Sequence, residues 1–453
     1  MDDILTSYDP SSGEAIGNVK ITDIEDIPKI VEKSKEAQKK WGSISVDERI
    51  KYIDEASKLL LQRNREIGLL LSKEMGKDLR RGTGEVMSCG YDAVYMANEV
   101  KKAIKTQVIK EGQMETQIQY NPLGVCAIIS PWNYPVAMSH WFIIPSLTAG
   151  NTVIFKPSEE TPLVAEEYVN AFNKVLPEGV LQIVHGTGKQ GKALVNSDVN
   201  FIGFTGSREV GKDIMRNASK SLKRIIMELG GKDPLIVMED ANIDAAVRFA
   251  IANSFENAGQ MCISTERIFV DEKVADEFEQ KAAEYTKYYR IGPWSDQNAN
   301  IGPIINEKQR NNIIRHIEDA IGKGAKVLIG GKNHPEHYIM PTVLTNITDN
   351  MIIWKEETFG PVACIKRFSD LDEAIKEAND TEFGLGAVVF GKNNVEEVAN
   401  QLEAGMVGIN QGVGGIGDTP WIGAKQSGIG YHGSSNGHRQ FTQVKVLTKM
   451  INY

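Results

Sequence analysis

The sequence has few cysteines, no long apolar run and no excess of positive charge. Its four cysteines are scattered and form no CxxC pair, which fits neither a disulfide framework nor a thiolate metal site. The longest apolar stretch, near 136–149, is too short to span a bilayer. A net charge of −9 disfavours nucleic acid and membrane partners, since both reward a basic surface. The acidic N-terminus lacks the features of a signal peptide, so we predict a cytoplasmic protein with small-molecule ligands.

The composition is otherwise that of an ordinary globular protein, with 41% apolar and 25% charged residues among 453. This length predicts two or three domain-sized units. From Val125 onward, the β-rich runs VCAIIS, TVIFK, LQIVH and NFIGF alternate with stretches of helical length. A second series follows RIIMELGG and includes ERIFV, AVVFG and MVGIN. The alternation predicts an α/β fold in which a doubly wound parallel sheet is followed by a second α/β unit, with a cleft between them.

Two ionisable side chains stand where a cleft is expected. Cys262, in GQMC, follows a predicted helix and precedes ERIFV, so its thiol can face the cleft. A lone cysteine is more often a buried apolar residue, and we keep that interpretation for Cys89, Cys126 and Cys364. Glu228 ends the apolar strand RIIME and is either a general base or a solvated acid. Neither residue identifies a function by itself.

Three further features lie at predicted strand ends. Asn133, in SPWNYP, is either held by its flanking prolines or simply forms a turn. In FTGSREVG, the spacing of Gly206, Ser207 and Gly211 places backbone N–H groups at a helix N-terminus, where a pyrophosphate would bind. Lys156 lies at a strand end of the kind that contacts nucleotides in doubly wound folds. Each signal is weak alone, because a turn or a solvated lysine explains it equally well.

Taken in order, PWNYP, FKPSEETP, FTGSREVG, MELGGK, GQMC, EETFGP and KQSGIG resemble the aldehyde dehydrogenase superfamily over nearly the whole chain. The resemblance implies a non-acylating enzyme that uses NAD or NADP. It also implies a Rossmann-like cofactor domain packed on an α/β catalytic domain, with a small β oligomerisation element. On this basis we assign 1–112 and 127–230 to the cofactor domain and 231–426 to the catalytic domain. Residues 113–126 and 427–453 form the oligomerisation element of a homodimer or homotetramer, although their strands could instead be sheet edges.

The resemblance further implies roles for single residues. Cys262 is the nucleophile that forms a thioester, Glu228 is the base for its hydrolysis, and Asn133 is an oxyanion donor. No metal is expected, because His334 and His337 have no obvious further ligands. NAD is slightly favoured over NADP, because the Glu159 carboxylate would repel a 2′-phosphate. The expected cofactor contacts are Trp132, Lys156, Ser158, Glu159, Gly206, Ser207, Gly211, Leu229, Glu357 and Phe359.

The sequence departs from the family pattern near the base. Many relatives have a lysine at the position of Phe142 and an acid at that of His432, so their salt bridge cannot form here. Either His432 provides a different proton route from Glu228, or it only caps a turn beside Gly433. The two hypotheses remain open at this stage.

The substrate pocket implied by the resemblance is rich in aromatic residues. Relatives that oxidise semialdehydes often have an arginine at the position of Trp141, so we expect a small aliphatic, hydroxy- or amino-aldehyde such as glyceraldehyde. A succinate semialdehyde dehydrogenase and a CoA-acylating enzyme are the alternatives, and Glu228 argues against the second. A non-enzymatic binding protein is disfavoured because Cys262, Glu228 and Asn133 occur together. The expected pocket residues are Tyr134, Met138, Trp141, Met261, Ile263 and Trp421.

Overall fold

The computed structural model describes residues 3–451. Its strands are β1 (Ile4–Tyr8), β2 (Ala15–Lys20), β3 (Gln107–Glu111), β4 (Met114–Pro122), β5 (Val125–Ile129), β6 (Thr152–Lys156), β7 (Leu181–Ile183), β8 (Phe201–Thr205), β9 (Arg224–Glu228), β10 (Asp233–Val237), β11 (Thr265–Asp271), β12 (Lys326–Ile329), β13 (Thr342–Thr345), β14 (Val362–Phe368), β15 (Gly386–Phe390), β16 (Met406–Ile409), β17 (Gly428–Ile429) and β18 (Thr442–Met450). Its helices are α1 (Ile27–Trp41), α2 (Val46–Gln62), α3 (Asn64–Met75), α4 (Leu79–Ala103), α5 (Pro135–Thr148), α6 (Pro162–Asn173), α7 (Gly188–Asn196), α8 (Arg208–Ala218), α9 (Ile243–Phe255), α10 (Glu272–Thr286), α11 (Glu307–Gly322), α12 (Ile352–Lys355), α13 (Leu371–Asn379), α14 (Val395–Gln401) and α15 (Ser434–Arg439).

The first large sheet is doubly wound. Its parallel strands lie in the order β9, β8, β5, β6, β7, and β17 pairs antiparallel with β9 at one edge. Strands β5, β6 and β8 are apolar and buried along their whole length, as expected for parallel strands covered by helices on both faces. The chain passes from β5 to β6 on one side of β5 and later returns to β8 on the other side of β5. This reversal creates a crevice beyond the carboxyl ends of β5 and β8, where such folds bind ligands.

The second large sheet has seven strands, in the order β12, β13, β14, β11, β10, β15, β16. All pairs are parallel except that of the edge strand β12 with β13. The short segment 229–232 joins the end of β9 to the start of β10. The carboxyl edge of the first sheet therefore meets the amino edge of the second, and the predicted α/β fold is confirmed.

A separate antiparallel sheet contains β18, β4 and β3 in that order. The two strands predicted to lie outside the main series thus pair with each other and are not edges of the large sheets. The predicted domain boundaries remain a prediction. The pairings of β3 with β4 and of β17 with β9 cross them, and the boundary after residue 126 falls within β5, which pairs with β6 and β8. Within residues 3–451, no helix combines the length and apolar character needed to cross a membrane.

Candidate active site

A cavity of about 550 Å³ lies where the two large sheets meet. It is bordered by loops after β5, β8 and β9 and by loops before β11 and β14. Most of the residues singled out from the sequence line it: Trp132, Asn133, Tyr134, Met138, Trp141, Gly206, Ser207, Leu229, Met261, Cys262, Ile263, Glu357, Phe359 and Trp421. The remaining ones lie outside its lining: Lys156, Ser158, Glu159, Gly211, Glu228 and His432.

Cys262 differs from the other cysteines in its surroundings. Its side chain lines the cavity and is partly exposed, whereas the other three cysteines are buried. Burial raises the pKa of the Cys262 thiol, and the nearby charges of Glu228 and Asp233 raise it further. The resting side chain is therefore a neutral thiol that needs a base to become a nucleophile.

The loop that carries Cys262 packs closely against its neighbours. Gly259 has a φ of +71°, and a Cβ there would lie 2.1 Å from the carbonyl carbon of Gly360. A Cβ on Gly231 would lie 2.5 Å from the carbonyl oxygen of Cys262. These contacts need glycine, so they hold the thiol loop against the segments before β10 and β14.

Asn133 is fixed by contacts from three sides. Its side-chain Nδ2 donates to the carbonyl of Gln260 at 3.0 Å, two residues before Cys262. Its own backbone carbonyl accepts from Nζ of Lys77 at 2.8 Å and from Nδ2 of Asn257 at 3.2 Å. Because an amide has two N–H donors, one remains for a ligand in the cavity. The arrangement suits an oxyanion donor beside Cys262.

Glu228 lies against His432. The two atoms Oε1 of Glu228 and Nε2 of His432 are 2.5 Å apart, and both side chains are nearly buried. Neither atom makes a well-directed hydrogen bond to any residue in 3–451, so no directed hydrogen bond offsets the desolvation cost of burying them. The rings of Trp141 and Phe142 lie 5.2 and 5.3 Å from the imidazole centre. Phe142 thus provides an apolar wall beside the imidazole.

The N-terminus of α8 has the features of a phosphate site. Ser207 is the N-cap residue, and its side chain makes no capping hydrogen bond to the first turn. A Cβ on Gly211 would lie 2.7 Å from Cδ2 of Leu229, so glycine lets the helix start pack on the end of β9. The free N–H groups point to the carboxyl end of β8, where an anionic pyrophosphate is favoured. These residues therefore fit a dinucleotide.

The predicted ribose contacts lie at two places. Nζ of Lys156, at the end of β6, is 3.3 Å from Oε2 of Glu159, and burial lowers the pKa of this lysine. Glu159 lines a separate cavity of about 570 Å³ beside the β1–β2 hairpin. Burial, and then the charge of Glu266, raise the pKa of Glu357 to about 8. A Cβ on Gly230 would lie 2.3 Å from a carboxylate oxygen of Glu357, which explains the glycine that follows Leu229.

Helix α4 contributes cavity residues that the sequence motifs do not predict. They are Arg81, Glu85 and Ser88, and Glu256 and Gln309 join them from elsewhere in the chain. Oε1 of Glu85 accepts hydrogen bonds at 3.0 Å from the backbone N–H groups of Val136 and Ala137, while its Oε2 accepts from Lys77 at 2.8 Å. This carboxylate therefore caps α5 and holds the loop of Asn133. Among the described residues, 3–451, no group of histidine, cysteine and acidic side chains is arranged to hold a metal.

Comparison with known proteins identifies the family. The model of the aldehyde dehydrogenase family matches residues 2–447. A probable succinate-semialdehyde dehydrogenase [NADP(+)] of Sinorhizobium fredii is 38% identical over 97% of this chain and 91% of that protein. A crystal structure of succinate-semialdehyde dehydrogenase from Burkholderia pseudomallei is 35% identical, with a TM-score of 0.96 over 99% of this chain and 95% of that one. An NAD-dependent aldehyde dehydrogenase structure from Sinorhizobium meliloti is 30% identical, with a TM-score of 0.95 over 99% and 92%. The chain belongs to the aldehyde dehydrogenase family of NAD(P)-dependent oxidoreductases.

Proposed function

We propose that this enzyme oxidises an aldehyde to a carboxylate through a thioester on Cys262. The observation that carries the proposal is the meeting of Cys262 and Asn133 in one cavity, with the α8 N-terminus at its edge. Glu228, whose charge helps to raise the thiol pKa, is the group that we propose accepts the thiol proton. Its neutralisation removes one of the charges that oppose thiolate formation.

The same residues support the later steps. The second N–H of the Asn133 amide and the backbone N–H of Cys262 would donate to the oxyanion formed when the thiolate adds to the aldehyde. NAD(P), when bound in the crevice between β5 and β8, supplies the hydride acceptor. Glu228 then activates the water that hydrolyses the thioester and releases the acid. His432 adjoins this carboxylate and is the group to which Glu228 can pass a proton.

The first test is aldehyde-dependent reduction of the cofactor, with and without CoA. We expect glyceraldehyde and simple alkanals to reduce the cofactor without CoA, because Glu228 provides the base that hydrolysis needs. The product should be the free acid, identified by mass spectrometry. A requirement for CoA, with an acyl-CoA product, would establish the acylating alternative. Succinate semialdehyde belongs in the same assay, because the names of the relatives favour it as a second candidate substrate.

We expect NAD to be preferred over NADP. The support is the Glu159 carboxylate, which can accept a hydrogen bond from a free 2′-hydroxyl and repels a 2′-phosphate. Lys156 pairs with this acid, so the repulsion is partly offset and the preference should be modest. Comparison of kcat/KM for NAD and for NADP tests this preference, and Glu159→Gln should reduce it. A higher kcat/KM for NADP in the unmodified protein would refute this role of Glu159.

His432→Phe should slow thioester hydrolysis by about tenfold. The reason is that Glu228 would lose its polar neighbour and its route for the accepted proton. Single-turnover hydride transfer and cofactor affinity should stay unchanged. His432→Gln is the matched control, because an amide can still donate to Glu228 but cannot carry a proton. Equal rates for the glutamine variant and the parent would show that His432 only positions Glu228, and a phenylalanine variant with the parent's kcat and pH profile would exclude both roles.

The oligomeric state and location also remain proposals. Exposed apolar side chains on the β18, β4, β3 sheet support its use as a subunit contact: Val108, Ile109, Met114, Val444, Val446 and Leu447. We propose a homodimer or homotetramer on this basis. We likewise propose a cytoplasmic location.

A further inference from the structure

We propose that the charge cluster Asp78–Arg81–Glu256, which borders the substrate cavity through Arg81 and Glu256, selects aldehydes with a cationic far end and rejects those with a carboxylate. The inference rests on the proposed aldehyde oxidation at Cys262 and specifies its substrate class. Arg81 and Glu256 both line the cavity that contains Cys262. They come from α4 and from the turn just before the cysteine loop, so they face the same space from two sides.

The guanidinium of Arg81 is shared by two carboxylates. Its Nε and Nη2 donate to the two oxygens of Glu256 at 2.7 and 2.8 Å, and its Nη1 donates to Oδ2 of Asp78 at 2.6 Å. Three of its five N–H donors are therefore already used. Each oxygen of Glu256 keeps a lone pair, and a third of the side chain is exposed. A ligand thus contacts a Glu256 carboxylate that can still accept hydrogen bonds and an Arg81 guanidinium whose N–H donors are mostly used.

The neighbouring pair of Lys77 and Glu85 adds no net charge to this cluster. Lys77 and Glu85 form a buried pair at 2.8 Å and compensate each other. The two cations of this group pair with three carboxylates, so the group carries one net negative charge. Arg81, Glu85 and Glu256 are its members that line the cavity. After burial, the charges of Glu256 and Glu85 are the largest causes of the raised pKa of Tyr134, so this negative field reaches the pocket wall.

Another part of the cavity wall is aromatic. The rings of Trp141 and Trp421 lie 5.6 Å apart, and both line the cavity. Indole faces attract cations, and the attraction increases where water is excluded. An ammonium group would therefore be favoured by the rings and by Glu256, whereas a carboxylate would be disfavoured by both.

The test compares three aldehydes of similar length and different charge. 3-Aminopropanal and butanal differ only by an ammonium in place of a methyl group, and succinate semialdehyde carries a carboxylate. In the unmodified enzyme, kcat/KM for 3-aminopropanal should exceed that for butanal by about tenfold, and succinate semialdehyde should be the poorest substrate. Salt should reduce these differences, because one side of the cluster is exposed to solvent.

Glu256→Gln should remove most of the preference for 3-aminopropanal over butanal and improve the relative use of succinate semialdehyde. Glu66→Gln is the matched control, because Glu66 makes a similar two-bond pair with Arg63 far from the cavity. That variant should keep the substrate ratios of the parent. A parent enzyme that prefers succinate semialdehyde, or oxidises all three equally well, would overturn the inference even if Glu256→Gln failed to fold. Failure of every aldehyde to reduce either cofactor would instead refute the proposed function.

Discussion

A Cys262→Ala variant is expected to lose aldehyde oxidation by about a thousandfold or more while still binding the dinucleotide. The thiol makes the covalent bond to the substrate, whereas the proposed dinucleotide contacts at the α8 N-terminus and in the β5–β8 crevice come from other residues. Residual activity can be measured by cofactor reduction, and cofactor binding by fluorescence titration. Intact-mass and peptide analysis of the parent, quenched during turnover, should place the acyl group on Cys262.

The other cysteines serve as internal controls for this assignment. Cys126 and Cys364 are buried, and burial raises the pKa of each thiol to about 12. They should therefore remain unlabelled in the native protein. Cys89→Ala should retain aldehyde oxidation, because Cys89 is buried in α4 and does not line the cavity. An acyl group on Cys89, Cys126 or Cys364 would refute the assigned nucleophile.

A Glu228→Gln variant is expected to accumulate the acyl-enzyme. The glutamine amide cannot accept the proton of the attacking water, so hydrolysis should slow by about a hundredfold or more, and hydride transfer should slow less. Rapid mixing with aldehyde and cofactor should show a burst of reduced cofactor close to one per active site, followed by slow turnover. An unchanged steady-state rate would mean that a different group serves as the base.

The effect of replacing Glu228 also depends on the contact that this residue makes with His432. Glutamine has nearly the size of glutamate, so the pocket formed by Trp141, Phe142 and His432 should remain filled. Glu228→Ala would in addition leave the imidazole without its neighbour in a nearly buried site. Comparison of thermal stability between the two variants separates the loss of the base from the loss of packing.

Much of the catalytic loop arrangement could be predicted from the sequence because strand ends and motifs are local features. Asn133 follows an apolar run, Glu228 ends one, and Cys262 precedes another, and the structure places each at the meeting of the two sheets. The contact of His432 with Glu228 was one of two open hypotheses, and the structure brings the side chains together without testing their role. The departure at Phe142 was also visible in the sequence, and its ring forms part of the wall around the imidazole.

The α4 side chains could not be predicted in the same way. Arg81 and Glu256 are 175 positions apart, and no local pattern shows that two surface-like charges will pair beside a cavity. Glu85 similarly looks like any helical acid until α5 is packed against it. Such contacts depend on how helices dock on a sheet, and a motif of neighbouring residues contains no information on that docking.

The division of the site between two sheets has a consequence for how activity is lost. Asn133 follows a strand of one sheet and Cys262 precedes a strand of the other, and the hydrogen bond from the Asn133 amide to Gln260 connects the two loops directly. A slip of about 1 Å between the sheets would misalign the oxyanion donor and the sulfur, although neither hydrophobic core would open. Mild heat or low denaturant should therefore switch the enzyme off reversibly while its secondary structure is intact. Catalytic activity should therefore depend on the alignment of the two large sheets and be lost before either sheet unfolds.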